Sequence, residues 1–344
     1  MSANTIRMSL IVPVYNSPQE MCECLSALIA SSSPGSEIIV VDDASTDDTP
    51  AIAAQMGVRV LRLTQRAGPA AARNCGAQHA QGVFLFFVDA DVVVAPGSIE
   101  RVIRVFEDHP EVAAVFGSYD AQPRAEGIVS QYRNLLHHFV HQHGNPEAST
   151  FWAGCGAIRR SVFQELGGFD AQRFPRPAIE DIELGYRLHH AGHRILLDKA
   201  LQGTHLKRWT LRSVIYTDIV CRAVPWSRLL FESKTLTKDL NLTRRQRLSL
   251  ALVGLASVSL LLTVVWVKLL VLVALALCGV LFLNRELYAF FFRQRGLLFA
   301  GVCIPLHLLY YLCSGLGYLY VWIGCQYTGG AKRFSPAPTS KERL

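Results

Sequence analysis

Val83-Phe84-Leu85-Phe86-Phe87-Val88-Asp89-Ala90-Asp91 is an unbroken apolar run that ends in two carboxylates one residue apart. A short continuous run of aromatic and β-branched residues predicts a buried strand. Side chains at i and i+2 of an extended chain point the same way, so the spacing places Asp89 and Asp91 together at the carboxyl end of that strand. In open α/β sheets ligands bind at this end. Two hard oxygen donors suit Mg2+ or Mn2+ carrying a diphosphate. A solvated turn explains Asp-Ala-Asp as simply, so the surrounding sequence has to decide.

N-terminal to this run, Met8-Ser-Leu-Ile-Val-Pro-Val-Tyr-Asn16 is a β-rich run ended by Pro and Asn, and Glu37-Ile-Ile-Val-Val-Asp42-Asp43 is another that ends in two acids. Between them, residues 18–31 put Met21, Leu25, Leu28 and Ile29 on one helical face. Strand, helix, strand implies a parallel pair with a crossover. Ala44-Ser45-Thr46-Asp47-Asp48 supplies turn and helix-cap chemistry. A helix near 48–56 and a third strand near 58–63 follow. In Arg66-Ala-Gly-Pro-Ala-Ala-Ala-Arg73-Asn74, Gly68 and Pro69 break the chain and a helix begins beyond them. Its amides and the Arg73 guanidinium suit an anionic ligand.

Val-Pro-Val-Tyr-Asn, Val-Val-Asp-Asp-Ala-Ser-Thr-Asp, Gly-Pro-Ala-Ala-Ala-Arg-Asn and Asp-Ala-Asp, in that order, resemble a family 2 glycosyltransferase of the membrane-anchored bacterial type, over about residues 8–210. The resemblance implies an α/β fold, GT-A and Rossmann-like, that binds a nucleotide-diphosphate sugar. By the same resemblance Pro13, Tyr15 and Asp43 hold the base and ribose, and Arg73 lies near them. Asp89 and Asp91 form the metal and ribose motif, with Asp91 in direct contact with Mg2+ or Mn2+. Asp42 reads as structural, capping the segment that follows.

Further along, Trp152-Ala-Gly-Cys-Gly-Ala-Ile-Arg-Arg-Ser-Val-Phe reads as a loop, a short strand and a helix, and the glycines of Glu165-Leu-Gly-Gly-Phe-Asp170 end that helix. Ile179-Glu180-Asp181 opens an amphipathic helix, where acids are also comfortable as capping groups. The resemblance makes Asp181 the catalytic base and puts Glu180 and Trp152 on the diphosphate and acceptor side. Gly203-Thr-His205-Leu-Lys207-Arg208-Trp209 is similar to the Gln-x-x-Arg-Trp motif of processive relatives such as cellulose and hyaluronan synthases. His205 stands at the Gln position, a departure that speaks against processivity. His205 is a candidate third metal or diphosphate ligand. Arg208 and Lys207 are candidate diphosphate clamps, and Trp209 a candidate lining of the acceptor channel. The alternative for this stretch is a basic, aromatic segment beside a membrane. A metal that neutralises the leaving diphosphate and one base that deprotonates the acceptor give a single displacement with inversion.

From Leu248 to Leu283 the only charge is Lys268. That run is about 54 Å long as one helix, against a hydrocarbon core of about 30 Å. The domain expectation is a cytosolic transferase domain over 1–215 and an amphipathic interfacial connector over 216–247. A transmembrane region over 248–327 follows, with helices near 248–265, 268–284 and 298–323, and then a disordered tail over 328–344. Residues 285–296, rich in Arg and aromatics, suit an interfacial helix. Arg244, Arg245 and Arg247 precede the first span, and no cleavable signal precedes Met8. Both point to a multi-pass protein of the inner cell membrane with its catalytic domain in the cytoplasm. The net charge of +7 fits anionic membrane lipid. Nucleic acid is not an expected partner, because the basic residues cluster beside the spans. Nine scattered cysteines read as reduced thiols.

The expected partners are a nucleotide-diphosphate sugar and a membrane-associated acceptor, either a polyprenyl phosphate or a lipid-linked glycan of the cell envelope. The alternatives are a transferase acting on a soluble polysaccharide and a non-catalytic membrane protein with a sugar-nucleotide-binding domain. A nucleotidyltransferase is disfavoured, because Pro-Val-Tyr-Asn stands where a Gly-rich loop belongs.

Overall fold

The first half of the sheet follows from the apolar runs. Strands β1 (Met8–Val14), β2 (Ser36–Asp42), β3 (Arg59–Arg62) and β4 (Phe84–Val88) are parallel, with β1 between β2 and β4. β1 and β4 are buried along their whole length, as continuous apolar strands must be. The crossovers run through α1 (Pro18–Ser31), α2 (Thr49–Gln55) and α3 (Pro69–His79). Each has a proline in its first turn, where the missing N–H costs nothing. The computed structural model describes residues 6–32, 35–233 and 243–327. The tail expected at 328–344, and residues 234–242 of the expected connector, lie outside the described residues.

The sheet then becomes mixed. β5 (Val92–Val94), α4 (Ser98–Asp108), β6 (Val112–Tyr119), α5 (Ile128–Gln142), β7 (Glu147–Ala148), β8 (Cys155–Arg159), α6 (Arg160–Glu165), α7 (Glu180–His190) and β9 (Arg194–His205) complete it. The strand order is β3-β2-β1-β4-β8-β6-β9-β5, with β7 paired to β9. β8 runs antiparallel to β4 and β6, while β6 and β9 are parallel. The chain winds outward from β1 to β3 and returns to β4 on the other side of β1. The carboxyl ends of β1 and β4 therefore flank a topological switch point, the place such sheets use for ligands.

One sequence expectation needs correction. Asp89 and Asp91 do not continue an extended strand. The Val92 N–H donates to the Asp89 carbonyl at 2.9 Å, which closes a four-residue turn. The chain has to turn here because β5 leaves β4 and pairs antiparallel with β9.

Among the described residues the chain divides into two units, one holding the residues up to Glu126 and His141–Arg208, the other holding Gly127–Val140 and the described residues from Trp209 to Tyr327. The second unit is helical: α8 (Leu211–Tyr216), a π-helical turn (Thr217–Ala223), α9 (Val224–Ser233), α10 (Arg244–Leu262), α11 (Leu269–Leu283) and α12 (Arg285–Tyr327). α12 is broken at Gly296, where φ is 83°. The break lies between the Arg-rich and aromatic stretch and the apolar one. α10 and α12 are long and apolar enough to cross a membrane, whereas α11 has 15 residues. At 1.5 Å per residue α11 reaches about 22 Å, short of a full hydrocarbon core. A polar network lies buried among these helices. The Tyr311 hydroxyl donates to the Gln246 amide oxygen and lies 3.2 Å from that of Asn284, and the Asn284 amide donates to Ser249. All nine cysteines are free thiols.

Candidate active site

The site gathers at the carboxyl ends of β1, β2 and β4. Pro13 is buried inside β1, opposite Val41 of β2. Tyr15 follows β1 and lies under the Arg66 guanidinium, 3.9 Å from its ring centroid. Asp42 is fully buried, accepts from the Ser45 N–H at 3.2 Å and pairs with Arg62, which is a turn-holding arrangement. Asp43 accepts from the Ala67 and Gly68 N–H groups at 2.7 and 2.9 Å, so it anchors the turn that starts α3. Only glycine fits at 68: φ is +87°, and a Cβ there would stand 2.6 Å from the Pro175 carbonyl oxygen.

Arg73 is buried on α3 and binds two acids. It donates to Asp89 at 2.6 Å and to Glu180 at 2.9 Å. Burial disfavours its charge, but Asp89, Glu180 and Asp181 outweigh that and keep it protonated. Glu180 also accepts from the Ala178 N–H at 3.0 Å. The structure thus places Arg73 among the acids of the cleft.

Asp181 sits beside that cluster at the start of α7. Its carboxylate accepts from the Ala153 N–H at 3.1 Å and the Ile182 N–H at 2.8 Å. The neighbouring Gly154 carbonyl accepts from the Asp89 N–H at 3.1 Å, so one loop ties both acids. α7 approaches that loop closely at Gly185, where a Cβ would meet the Phe151 nitrogen at 2.3 Å. Burial first, and the negative charge of Glu180 second, raise the Asp181 carboxyl to about 7, against the opposing pull of Arg73 and the two N–H donors. A carboxylate poised near neutrality is suited to taking a proton.

Asp91 and His205 meet because of strand register. Val92 pairs with His205 across β5 and β9, and the Leu206 N–H donates to the Asp91 carbonyl at 2.8 Å. His205 Nε2 lies 3.5 Å from Asp91 Oδ2. Burial opposes ionisation of Asp91, but the hydrogen bond and charge of His205 and the charge of Lys207 overcome it and hold the carboxyl below its ordinary range. Two ligands of one octahedral Mg2+, about 2.1 Å from the ion and at right angles, stand about 3 Å apart. The Asp91–His205 pair fits such an ion. Asp89, engaged by Arg73, does not converge with it, and no cluster of three or more His, Cys, Asp or Glu groups occurs among the described residues.

An aromatic column backs His205. Its ring stacks on Tyr119 at 4.2 Å, and Tyr119 meets Trp152 edge-on at 4.8 Å. Lys207 and Arg208 are exposed just beyond β9, and Trp209 begins the second unit. Sequence reasoning missed Tyr119 and Arg66. For Tyr119 a signal was present, since β6 also ends in an aromatic residue and an acid, Tyr119-Asp120. Arg66 carried none.

Residues 9–167 match the profile of glycosyl transferase family 2. The pre-mycofactocin glycosyltransferase of Mycobacterium tuberculosis is 28% identical over 225 residues, covering 61% of this chain and 46% of that protein. An uncharacterized glycosyltransferase of Haemophilus influenzae is 29% identical over 173 residues, covering 47% and 55%. The chain thus spans about half the length of these relatives. Among solved structures, the mannosyltransferase PcManGT of Pyrobaculum calidifontis, in complex with GDP-Man and Mn2+, superposes with a TM-score of 0.55 at 18% identity, over 92% of this chain and 87% of that one. The fold is therefore GT-A. Residues 9–167, just under half of the chain, are similar to glycosyl transferase family 2.

Proposed function

We propose that this chain is a metal-dependent, inverting glycosyltransferase that moves a sugar from a nucleotide-diphosphate sugar to a membrane-associated acceptor, a polyprenyl phosphate or a lipid-linked glycan. The observation that carries the reading is Asp181, a carboxylate raised to about 7 and tied by the Ala153–Gly154 loop to the Asp89 turn. Pro13, Tyr15 and Asp43 border the place for the base and ribose at the ends of β1 and β2. Asp91 and His205 hold Mg2+ or Mn2+, a role supported by their spacing and by the Mn2+ in the solved mannosyltransferase. When bound, the ion neutralises charge on the leaving diphosphate. Lys207 and Arg208 add positive charge beside it.

Asp181 accepts the proton of an acceptor hydroxyl as the new glycosidic bond forms. With a single base and no second carboxylate serving as nucleophile, the displacement inverts the anomeric centre. A phosphate acceptor is already ionised and needs Asp181 less. The membrane-associated acceptor is supported by α10 and α12, and by an apolar groove of about 690 Å3 on the second unit lined by Leu211, Ile215, Tyr216, Ile219 and Val220 with Arg212. In this reading the apolar helices anchor the chain in the inner membrane with the N-terminal domain in the cytoplasm.

The test is to incubate membranes containing the full chain with radiolabelled sugar nucleotides of several bases in the presence of Mn2+. The expected label enters the organic-extractable lipid fraction. Label confined to water-soluble glycan would replace the lipid acceptor with a soluble one. No transfer and no donor hydrolysis by folded protein would leave a non-catalytic binding scaffold.

A further inference from the structure

Trp209 is held through its backbone and meets a cation at its ring. The Trp209 N–H donates to the Ser130 hydroxyl at 2.8 Å, and that hydroxyl lies 3.3 Å from the Trp209 carbonyl as a donor. One turn along α5, the Arg133 guanidinium sits 5.7 Å from the Trp209 ring centroid. The residue after Trp209, Thr210, closes a capping box with Ser213 that starts α8. Arg133 is in turn fixed by Asp218, through contacts of 2.5 and 3.3 Å. Both partners are almost fully buried, with side chains 6% and 2% exposed.

Asp218 belongs to the π-helical turn Thr217–Ala223. Such turns are rare, and they are frequent at functional sites. A buried ion pair is weak evidence for stability, since apolar residues of similar volume serve as well, and a fixed geometry is the better-attested gain. Here the geometry that is fixed is that of a tryptophan.

We propose that Ser130, Arg133 and Asp218 are positioning residues for Trp209, and that the π turn aims the Asp218 carboxylate at Arg133. The functional consequence rests on the reading that Trp209 faces the acceptor. Ser130 sets the backbone of Trp209, and Arg133 sets its ring. Asp218 keeps Arg133 from swinging to other carboxylates or to solvent.

The full chain, labelled with 5-fluorotryptophan, contains five tryptophans and gives five fluorine signals, of which Trp209→Phe identifies one. In Asp218→Asn, and in Arg133→Met, that signal is expected to shift by more than its linewidth, while those of Trp152, Trp266 and Trp322 stay in place. Arg133→Lys, which keeps the charge, is expected to restore the signal most of the way. Ser130→Ala leaves the ion pair intact and must also shift the signal, so the proposal stays testable if Asp218→Asn does not fold. An unmoved Trp209 signal in folded Asp218→Asn or Ser130→Ala overturns it. A short polyprenyl monophosphate added to the native protein separates the two ideas. A shift of the Trp209 signal supports its place at the acceptor, and no shift overturns that place while the variants still decide the positioning.

Discussion

Arg73 gathers acids that lie far apart in the chain, for Glu180 is 107 residues beyond it and Asp89 is 16. Removing one member of a buried ionic cluster leaves the others uncompensated, so Arg73→Met should lower unfolding stability by about 3 kcal/mol, read from urea denaturation. Arg73 also lowers the Asp181 pKa, so the same variant should move the Asp181 titration to higher pH. In the native protein Asp181 titrates at about 7, well above the ordinary carboxylate value. The folded chain therefore binds more protons than the unfolded chain between roughly pH 4 and 7, and stability attributable to this group falls as pH rises through that window. Asp181→Asn should consequently gain in melting temperature relative to the native protein on going from pH 5 to pH 8. Transfer to a hydroxyl acceptor should rise with pH to a plateau with a midpoint near 7. Asp181→Asn should keep donor affinity and lose this limb with about 100-fold or more of the rate. Undiminished transfer in that variant would place the base elsewhere. The acids themselves were legible from residue type and motif order. Their partnership with Arg73 was not, because no local pattern announces an ion pair across such distances.

Elements were the most legible scale. The strands β1, β2 and β4 and the helices α1 and α3 stand where apolar runs, helical spacing and the Gly68-Pro69 break put them. The turn at Asp89–Val92 was not legible, because two acids at i and i+2 look alike in a strand and in a turn. The antiparallel pairing of β5 with β9, which brings His205 to Asp91, joins segments more than a hundred residues apart and leaves no periodic trace. Nor does sequence spacing reveal the π turn, whose Asp218 reads as an ordinary polar residue of an amphipathic helix. The start of α3 gives a prediction at this scale. Gly68→Ala forces a Cβ against the Pro175 carbonyl at a positive φ and disturbs the two N–H groups that hold Asp43. It should destabilise the fold by more than about 1 kcal/mol and weaken nucleotide affinity, measured by denaturation and calorimetry.

At the scale of the whole molecule, the sheet unit carries every catalytic and donor-site candidate, and the helical unit carries Trp209 and the apolar helices. The composition shift near residue 248 falls inside the second unit, which already begins at Trp209. Nothing in the composition marks residues 127–140 as part of that unit, because α5 lies amid the sheet elements in sequence. Leu261, Val264, Val265 and Leu298 are exposed on that unit, a surface that water does not favour and a bilayer does. The full chain should therefore stay in the membrane fraction through alkaline carbonate extraction, and release into the supernatant would count against spanning helices. Donor binding links back to the stability of the whole chain, since a ligand that binds only the native state stabilises it by mass action, about 2.7 kcal/mol at a hundredfold excess over Kd. The decisive measurement is the thermal unfolding midpoint of the purified full chain with uridine, guanosine and thymidine diphosphates, with and without Mn2+, alongside His205→Ala and Asp91→Asn. A rise with one nucleotide that requires Mn2+ and is lost in both variants is the expected result. An equal rise without Mn2+, or one that survives both substitutions, would contradict an Asp91–His205 metal site for the donor.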